Sequence, residues 1–447
     1  MQRDQAAHGG AKPDLAAWTA AVLLTAAVLL SYTDRLILNL LVQPIRQDLG
    51  LSDTQFSLLQ GAAFALVYAC ASPPLAWLSD RVSRRAVLVG GMVVWGAATI
   101  AGGLASSYGG LAAARALIGF GEAALLPSAL ALISDLFPAE RRAAPTAMLF
   151  VGVGVGPGAG LLIGGELLRL VHALGLTALA PWRMTLVLAG APAFLIALLL
   201  LLVLGRPQRR RDDAASRPED DGAGAGARLN LPALVLGYAA IAFVMIADWA
   251  QLSWTPTLFI RSLGMDAPGA ADLFGAVAIG VGLVAPLAAV RIAAMARRGT
   301  DARRLAAPAL PLLVALPAVL LLLGKLVGVT VAGSAVLGLA LLTAELTFAT
   351  VLQDLLPSRL RAFGVSLVYF FGGFLGLGLA PTLVALATDR LYHSEQALGP
   401  ALVTVIIPAV VAGIALFLFA ARTADRRAEA RRQAVRTAAG PLTAPAD

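Results

Sequence analysis

The sequence is poor in charge, cysteine and histidine, and each shortage excludes a class of protein. Asp, Glu, Lys and Arg make up 13% of the 447 residues, whereas soluble domains contain about 25%. The lone cysteine, Cys70, argues against redox chemistry, and we expect it to be a small buried apolar residue. All three histidines fall in loops or near helix ends, so we expect no histidine proton relay within a membrane.

Motifs of known reactive sites are missing as well. The sequence contains neither H-E-x-x-H nor G-x-S-x-G, and it has no phosphate-binding lysine loop. We therefore predict that the protein is not an enzyme and that it holds no metal ion and no cofactor. The sequence also lacks an ATP-binding motif.

Long apolar runs are what the sequence has instead. Hydrophobic residues make up 59% of the chain, and the mean hydropathy is +0.82. A run of about 20 apolar residues crosses a bilayer as a helix, because a helix satisfies its own backbone hydrogen bonds. We predict an all-α integral membrane protein with twelve transmembrane helices. The predicted spans are 16–42, 54–77, 86–106, 109–136, 143–168, 183–204, 231–260, 270–295, 305–326, 329–352, 362–388 and 400–420.

Basic residues indicate the orientation of these spans. Arginines cluster in the turns after spans two, four, six, eight and ten, and again in the tail from Arg422 onward. Because basic loops remain in the cytoplasm, we expect both termini there, and we expect the chain in the inner (plasma) membrane of a bacterium. The net charge of +8 then reflects topology, and we predict no nucleic-acid partner.

A polar, Gly- and Ala-rich segment separates two groups of six spans. We predict a flexible cytoplasmic linker there, because the segment loses its apolar residues. The predicted domains are a cytoplasmic N-terminus at 1–15, a six-helix bundle at 16–204, the linker at 205–230, a second six-helix bundle at 231–421 and a cytoplasmic tail at 422–447.

The two predicted bundles resemble each other in sequence. The segment from Asp135 to Pro138 recurs 219 residues later as the segment from Asp354 to Pro357. Asp34 and Asp248 each stand 15 positions before a Leu-Gly pair. A parallel repeat of this kind predicts a substrate cavity between two pseudo-symmetric bundles, open to each side of the membrane in turn.

Four charged residues lie deep inside predicted spans. Asp34 and Arg35 are adjacent in span one, and Arg115 and Glu122 belong to span four. A charge at such depth costs at least about 2.5 kcal/mol, so it normally faces a bundle interior and meets a partner. Counting helical rise places Asp34 and Glu122 within about 5 Å of the same depth. We predict that Arg35 or Arg115 pairs with Glu122 while Asp34 gains and loses a proton; a static ion-pair lock is the alternative.

The turn after span two carries a recognisable motif. Its sequence, Ala76-Trp77-Leu78-Ser79-Asp80-Arg81-Val82-Ser83-Arg84-Arg85, resembles the signature loop G-x-L-A-D-R-x-G-R-R of the major facilitator superfamily. The resemblance implies a cytoplasmic gate in which the aspartate caps a helix and pairs with arginines; a topological role alone is the alternative. The predicted gate residues are Asp80, Arg81, Arg84, Asp135, Glu140 and Arg142.

Further motifs narrow the resemblance. Span five repeats glycine every fourth residue from Gly152 to Gly164, which resembles a superfamily motif associated with antiporters. A helix face that only packs closely against a neighbouring helix explains this spacing equally well. The segments Arg115–Ala123, Tyr32–Arg35 and Leu59-Gln60 resemble the spinster branch of the superfamily. That resemblance implies transport of lysophospholipids or sphingoid phosphates.

Polar and aromatic residues within the spans are candidates for the cavity wall. Gln60, Phe64 and Tyr68 share one face of span two. A charged cluster with largely apolar walls suits an amphipathic ligand with a charged head. For the acids in spans seven and ten, Asp248 and Glu345, ion coupling and helix packing are the alternatives to substrate binding. The predicted substrate-binding residues are Asn39, Gln60, Phe64, Tyr68, Asp248, Trp254, Glu345 and Tyr369.

Together these patterns predict a monomeric secondary active transporter that moves an amphipathic organic solute by proton-coupled alternating access. Its partners would be the small-molecule or lipid substrate, protons and membrane lipids. A drug or metabolite proton antiporter, or an organic-anion transporter of the same fold, is the close alternative. A membrane receptor or scaffold is the alternative from another class, although the short linker and tail leave no space for a sensor domain.

Overall fold

The computed structural model describes residues 15–176, 178–204 and 230–438, and all regular secondary structure in these ranges is helical. Twelve helices are long and apolar enough to cross a membrane, which confirms the predicted all-α fold. These spans are Leu15–Leu40, Asp53–Ser79, Arg84–Leu104, Tyr108–Leu136, Ala143–Ala173, Pro181–Val203, Leu231–Leu263, Ala267–Arg297, Asp301–Leu323, Val327–Leu355, Gly372–Tyr392 and Glu395–Ala430. Most of the predicted linker and parts of both predicted ends fall outside the described ranges.

The last two spans differ most from their predicted limits. Span eleven follows directly on helix Ser358–Phe371 and widens into π-helical turns at Gly372–Leu377 and Ala387–Tyr392. The final helix, Leu398–Ala438, continues well past the predicted end at residue 420. The reason is composition, because the residues that follow are mostly Ala and Arg, which are strong helix formers.

Backbone contacts divide the chain into two units. Among the described residues, the first unit comprises 15–51, 62–176, 178–204 and 267–279. The second comprises 52–61, 230–266 and 280–438. The start of span two belongs to the second unit and the start of span eight to the first. The division into the two predicted six-helix bundles stays a prediction.

In the first unit, span five packs closely on span one. A Cβ atom added to Gly160 would lie 2.7 Å from the backbone nitrogen of Thr33, and one added to Gly152 would lie 3.0 Å from the side chain of Thr25. The glycine repeat thus removes side chains where the two helices meet. This contact fixes the position of span one at the level of its charged residues.

Each unit repeats one helix ending. Gly50 ends the short helix Val42–Leu49 that follows span one, and Gly264 ends span seven. Both glycines have left-handed backbone conformations, with φ of 64° and 68°, which a residue with a side chain adopts at a cost. The Leu-Gly echo in the sequence therefore marks equivalent helix ends.

The outward faces of the spans are apolar, as expected for a surface in contact with lipid. Leu66 and Phe120 are 49% and 41% exposed, for example. Cys70 lies on span two and is also exposed, so the expectation that it is buried was wrong. Small apolar side chains face outward in a membrane span as readily as inward, because lipid does not oppose their exposure as water does.

Candidate functional site

The candidate site in the first unit centres on an ion pair between spans one and four. Arg35 donates from Nε to Glu122 Oε2 at 2.7 Å, and its Nη2 lies 2.6 Å from the same oxygen. The Glu122 side chain is fully buried, whereas that of Arg35 is 14% exposed. The arginine is therefore the more accessible partner of a short, charge-assisted contact.

Aromatic rings surround Arg35. Its guanidinium carbon lies 4.9 Å from the ring centre of Phe64, 5.1 Å from that of Tyr68 and 5.5 Å from that of Tyr32. Phe64 and Tyr68 stack on each other with their ring centres 5.5 Å apart. Aromatic faces attract a cation, and the attraction grows where water is excluded. Two of the predicted substrate-binding residues thus contact the charged cluster.

A second, looser pair lies beside the first. Arg115 Nη1 is 3.8 Å from Asp34 Oδ2, and both side chains are almost fully buried. Thr99 and Trp95 of span three face the same carboxyl group. The guanidinium of Arg115 also lies 5.2 Å from the ring centre of Phe64, so this ring contacts both arginines.

The sequence of span four explains how Glu122 reaches this position. The helix Tyr108–Glu122 ends there, and a second helix begins at Leu125, so the carboxylate lies at an interruption in the span. Two glycines bring the segment close to its neighbours. A Cβ atom at Gly119 would lie 2.6 Å from the carbonyl oxygen of Phe64, and one at Gly121 would lie 2.5 Å from that of Gly91. Any larger residue would push Glu122 away from Arg35.

Asp248 and Glu345, the acids expected to matter in the second unit, lie on facing helices. Asp248 is in span seven and Glu345 is in span ten, and they interact electrostatically. The two helices are held together by a hydrogen bond from Gln251 Nε2 to the carbonyl of Ser334, at 2.5 Å. Among the described residues, neither acid forms an ion pair or a hydrogen bond.

The other predicted substrate-binding residues that are described are buried, and two of them donate hydrogen bonds to backbone carbonyls. Gln60 is buried and donates to the carbonyl of Ser253 at 3.3 Å. Trp254 is fully buried and donates from its indole nitrogen to the carbonyl of Pro381 at 3.0 Å, a contact typical of packing. Asn39 is buried in span one, five residues beyond Asp34. The side chain of Tyr369 lies outside the part of the structure that is described.

The predicted gate residues divide into paired and unpaired groups. Arg84 Nη1 lies 2.5 Å from Asp135 Oδ1, and Arg142 donates to the carbonyls of Phe137 and Ser134. Arg81 lies 4.2 Å above the ring of Trp77, and Glu140 is exposed with no ion pair among the described residues. The side chain of Asp80 is outside the described part, so its role as a gate residue stays a prediction.

Ion pairs at the opposite ends of the spans were not foreseen, among them those of Arg261, Arg169 and Arg183. Arg261 makes a two-pronged contact with Asp53, at 2.7 Å for each nitrogen, and both side chains are buried. Arg169 contacts Asp272 in the first unit. Arg261 and Asp53 are 208 residues apart in sequence, and Arg169 and Asp272 are 103 residues apart. The only sequence signal for these pairs is a charged residue within one or two turns of a span end.

Comparison with known families identifies the architecture. A family model described as Major Facilitator Superfamily matches residues 24–381, most of the chain. The chain belongs to this superfamily. Its fold also resembles that of a bacterial homologue of the human lysosomal transporter Spinster, with a TM-score of 0.75, 24% identity and coverage of 93% of this chain and 99% of the other.

Several superfamily members are similar in sequence. An MFS-type efflux pump of Mycolicibacterium smegmatis is 31% identical over 91% of this chain and 93% of its own length. Protein spinster of Drosophila melanogaster is 28% identical over 56% of this chain, and a puromycin resistance protein of Streptomyces alboniger is 34% identical over the same share. These matches span only 39% and 46% of those two proteins. The protein is accordingly a transporter of the superfamily, similar in sequence to Protein spinster, and not an enzyme.

Proposed function

We propose that this superfamily member couples proton movement to the transport of an amphipathic organic solute by alternating access. The observation that supports the proposal is the buried set of two acids and two arginines in spans one and four. Arg35 holds Glu122 at 2.7 Å while Asp34 and Arg115 are 3.8 Å apart. Ionisable groups at such depth commonly serve as ion or proton relays.

The arrangement supports a specific sequence of events. A substrate head group that attracts Arg35 would weaken its contact with Glu122, and Arg115, which interacts with both acids, would then be drawn from Asp34 toward Glu122. Asp34 would be left without a counter-charge. Taking up a proton removes the free-energy cost of that bare charge. Substrate binding would therefore promote protonation of the cluster through the guanidinium of Arg35, which its 14% exposure and aromatic surroundings make accessible.

Proteoliposomes with an imposed pH gradient test this proposal. We expect Asp34→Asn and Glu122→Gln to abolish the stimulation of transport by the gradient, while Glu429→Gln, a change at an exposed acid of the final helix, leaves it intact. Transport that keeps its full pH dependence in both variants would contradict proton coupling. It would leave the static ion-pair lock as the role of the cluster.

For the substrate, we propose a lysophospholipid-like or sphingoid-phosphate-like molecule, which similarity to Protein spinster supports. The second candidate is drug export, which the similarity to the M. smegmatis efflux pump over nearly the whole chain favours. A thermal-shift panel containing lysolipids, puromycin and small hydrophilic anions separates these candidates, since a ligand of the folded state raises apparent stability. A shift with hydrophilic anions alone would contradict both.

Orientation and assembly complete the proposal. We infer a monomer in a bacterial inner membrane with both termini and the arginine-rich turns in the cytoplasm, where Arg84, Asp135 and Arg142 would act in a gate with Asp80, Arg81 and Glu140. Phosphatase and fluorescent-protein fusions at the C-terminus test the orientation. An active phosphatase fusion would contradict it.

A further inference from the structure

Spans seven and ten form a seam that is rich in hydrogen-bond acceptors and poor in positive charge. Spans seven and ten contain three acids, Asp248, Glu345 and Asp354, and a single basic residue, Arg261. Arg261 lies about 20 Å from Asp248 by helical rise, and Asp53 already binds it. Asp354 is at the end of span ten and contacts Arg297. Within the described part of the chain, Asp248 and Glu345 therefore have no cation of these two spans beside them.

The register of the seam shows where these acids lie. Span seven contacts span ten through Tyr238 and Phe348, whose ring centres are 5.7 Å apart, and through Gln251 and Ser334. Aligned on these two contacts, Asp248 and Glu345 are offset by about 10 Å along the helices. Both residues are partly accessible, yet Glu345 Oε1 is buried and accepts no hydrogen bond from the described residues.

A third unused acceptor lies in the same seam. Gln251, one helical turn beyond Asp248, is only 3% exposed, and its Oε1 accepts no hydrogen bond from the described part of the chain. Because Nε2 is held by the carbonyl of Ser334 at 2.5 Å, the amide is fixed between the helices. Its oxygen lies 3.7 Å from the position that a Cβ atom of Gly338 would take, so the missing side chain leaves space in front of it.

We propose that three side chains in this seam bind the positively charged nitrogen of the transported molecule. They are those of Asp248, Gln251 and Glu345. A protonated amine supplies what the seam lacks, since it carries a positive charge and N–H donors for an amide oxygen and two carboxyl groups. A single cation near both acids also offsets their mutual repulsion, which is strong where water is scarce. The inference rests on the proposed transport function and specifies its substrate class as organic amines, free or as the amine end of a zwitterionic lipid.

Three fluorescent probes that differ only in the head group test the inference. They are dansyl amides on the same ten-carbon chain, ending in an ammonium, a hydroxyl or a carboxylate group. We expect the purified protein to bind the ammonium probe about tenfold or more tightly than the hydroxyl probe, as a charged hydrogen bond in a buried site provides. Asp248→Asn and Glu345→Gln should each reduce this preference, and the double variant should remove it. Binding of the hydroxyl probe should be unchanged in every variant, which shows that they fold.

The control and the contrary outcomes are equally specific. Glu429→Gln, at an exposed acid of the final helix, should leave the preference intact. Equal affinity for the ammonium and hydroxyl probes, or a preference that survives the double variant, overturns the inference. Flux of the same probes in proteoliposomes reports separately on the proposed function, because a protein that binds the ammonium probe selectively but moves none of the three would refute transport and not the amine site.

Discussion

The first unit holds its membrane-embedded acids against arginines, whereas in the described part of the second unit Asp248 and Glu345 have no arginine partner. Asp34 and Glu122 face Arg115 and Arg35 at 3.8 and 2.7 Å, so that cluster is electrically balanced within the protein. Asp248 and Glu345 have each other as charged neighbours. The first cluster can therefore change state by exchanging partners internally, while the second needs a cation or a proton from outside.

At the arginine-rich ends the two units agree closely. Arg142 donates to the carbonyl of Phe137 at 2.9 Å, and Arg361 donates to that of Leu356 at 3.1 Å. Asp135 and Asp354 each receive an arginine, at 2.5 and 2.6 Å. The repeated sequence thus produces the same end structure twice, and the units diverge in the charges within the spans.

The largest expected effect concerns stability. Replacing a membrane-embedded acid by its neutral amide should lower the free energy of unfolding in the first unit but leave it unchanged or raise it in the second. Glu122→Gln leaves Arg35 charged and without its carboxylate, so we expect a loss of about 3 kcal/mol or more in the free energy of unfolding. Glu345→Gln removes an acid that has only another acid nearby, and we expect stability to be unchanged or increased. Thermal unfolding in detergent, followed by tryptophan fluorescence, measures both. Destabilisation of similar size in the two variants would show that the charge difference between the units has no energetic meaning.

A lysine at position 248 should give the second unit a membrane-embedded acid paired with a cation, as in the first unit. Asp248→Lys places a cation on a long, flexible side chain within reach of Glu345, where it can form the ion pair that this seam lacks. We expect about a tenfold loss of affinity for the ammonium probe, because the lysine takes the place of the ligand. Asp248→Asn provides the matched neutral control and should retain more affinity than the lysine variant. An unchanged affinity in Asp248→Lys would remove the seam from consideration as a binding site.

Close helix packing is a further feature of the first unit that can be broken. In Gly160→Ala the new methyl group would lie 2.7 Å from the backbone of Thr33, so span one must shift. We expect a loss of about 1–3 kcal/mol in stability together with weaker proton coupling, because Arg35 moves relative to Glu122. Gly328→Ala, where the added group has no neighbour within 4 Å, should leave both properties intact. Comparable melting temperatures for the two variants would be contrary to this expectation.

The smallest effects are expected where the units agree. Arg84→Gln and Arg297→Gln each remove a partly exposed ion pair, which is worth about 0–1 kcal/mol. We therefore expect nearly equal, slight changes in melting temperature. A much larger loss in one variant than in the other would mean that the two ends are not equivalent in the folded protein.

Sequence patterns were sufficient for the fold and for one part of the site. Hydropathy predicted the twelve spans, because length and apolarity are set by the bilayer. The cost of burying charge pointed to Asp34, Arg35, Arg115 and Glu122, and counting helical rise indicated that Glu122 could meet an arginine of span one. The structure places Arg35 there, while the roles of these residues in transport remain predictions.

The remaining contacts depend on how helices cross, which no local pattern determines. Arg261 meets Asp53 because spans two and seven approach at that end, and nothing near either residue in sequence reveals it. Trp254 illustrates the opposite difficulty, since an aromatic residue in a span can face a cavity or a neighbouring helix. In this chain its indole nitrogen is bonded to the carbonyl of Pro381.

Cys70 has a practical consequence that follows from its exposure. It is the only thiol among the 447 residues, and it lies two positions beyond Tyr68 on span two, whose aromatic rings contact Arg35. A maleimide fluorophore or a nitroxide attached there would give a spectroscopic reporter on span two in the unmutated protein. Changes in its signal with pH or with an amine would follow the movement of this helix directly.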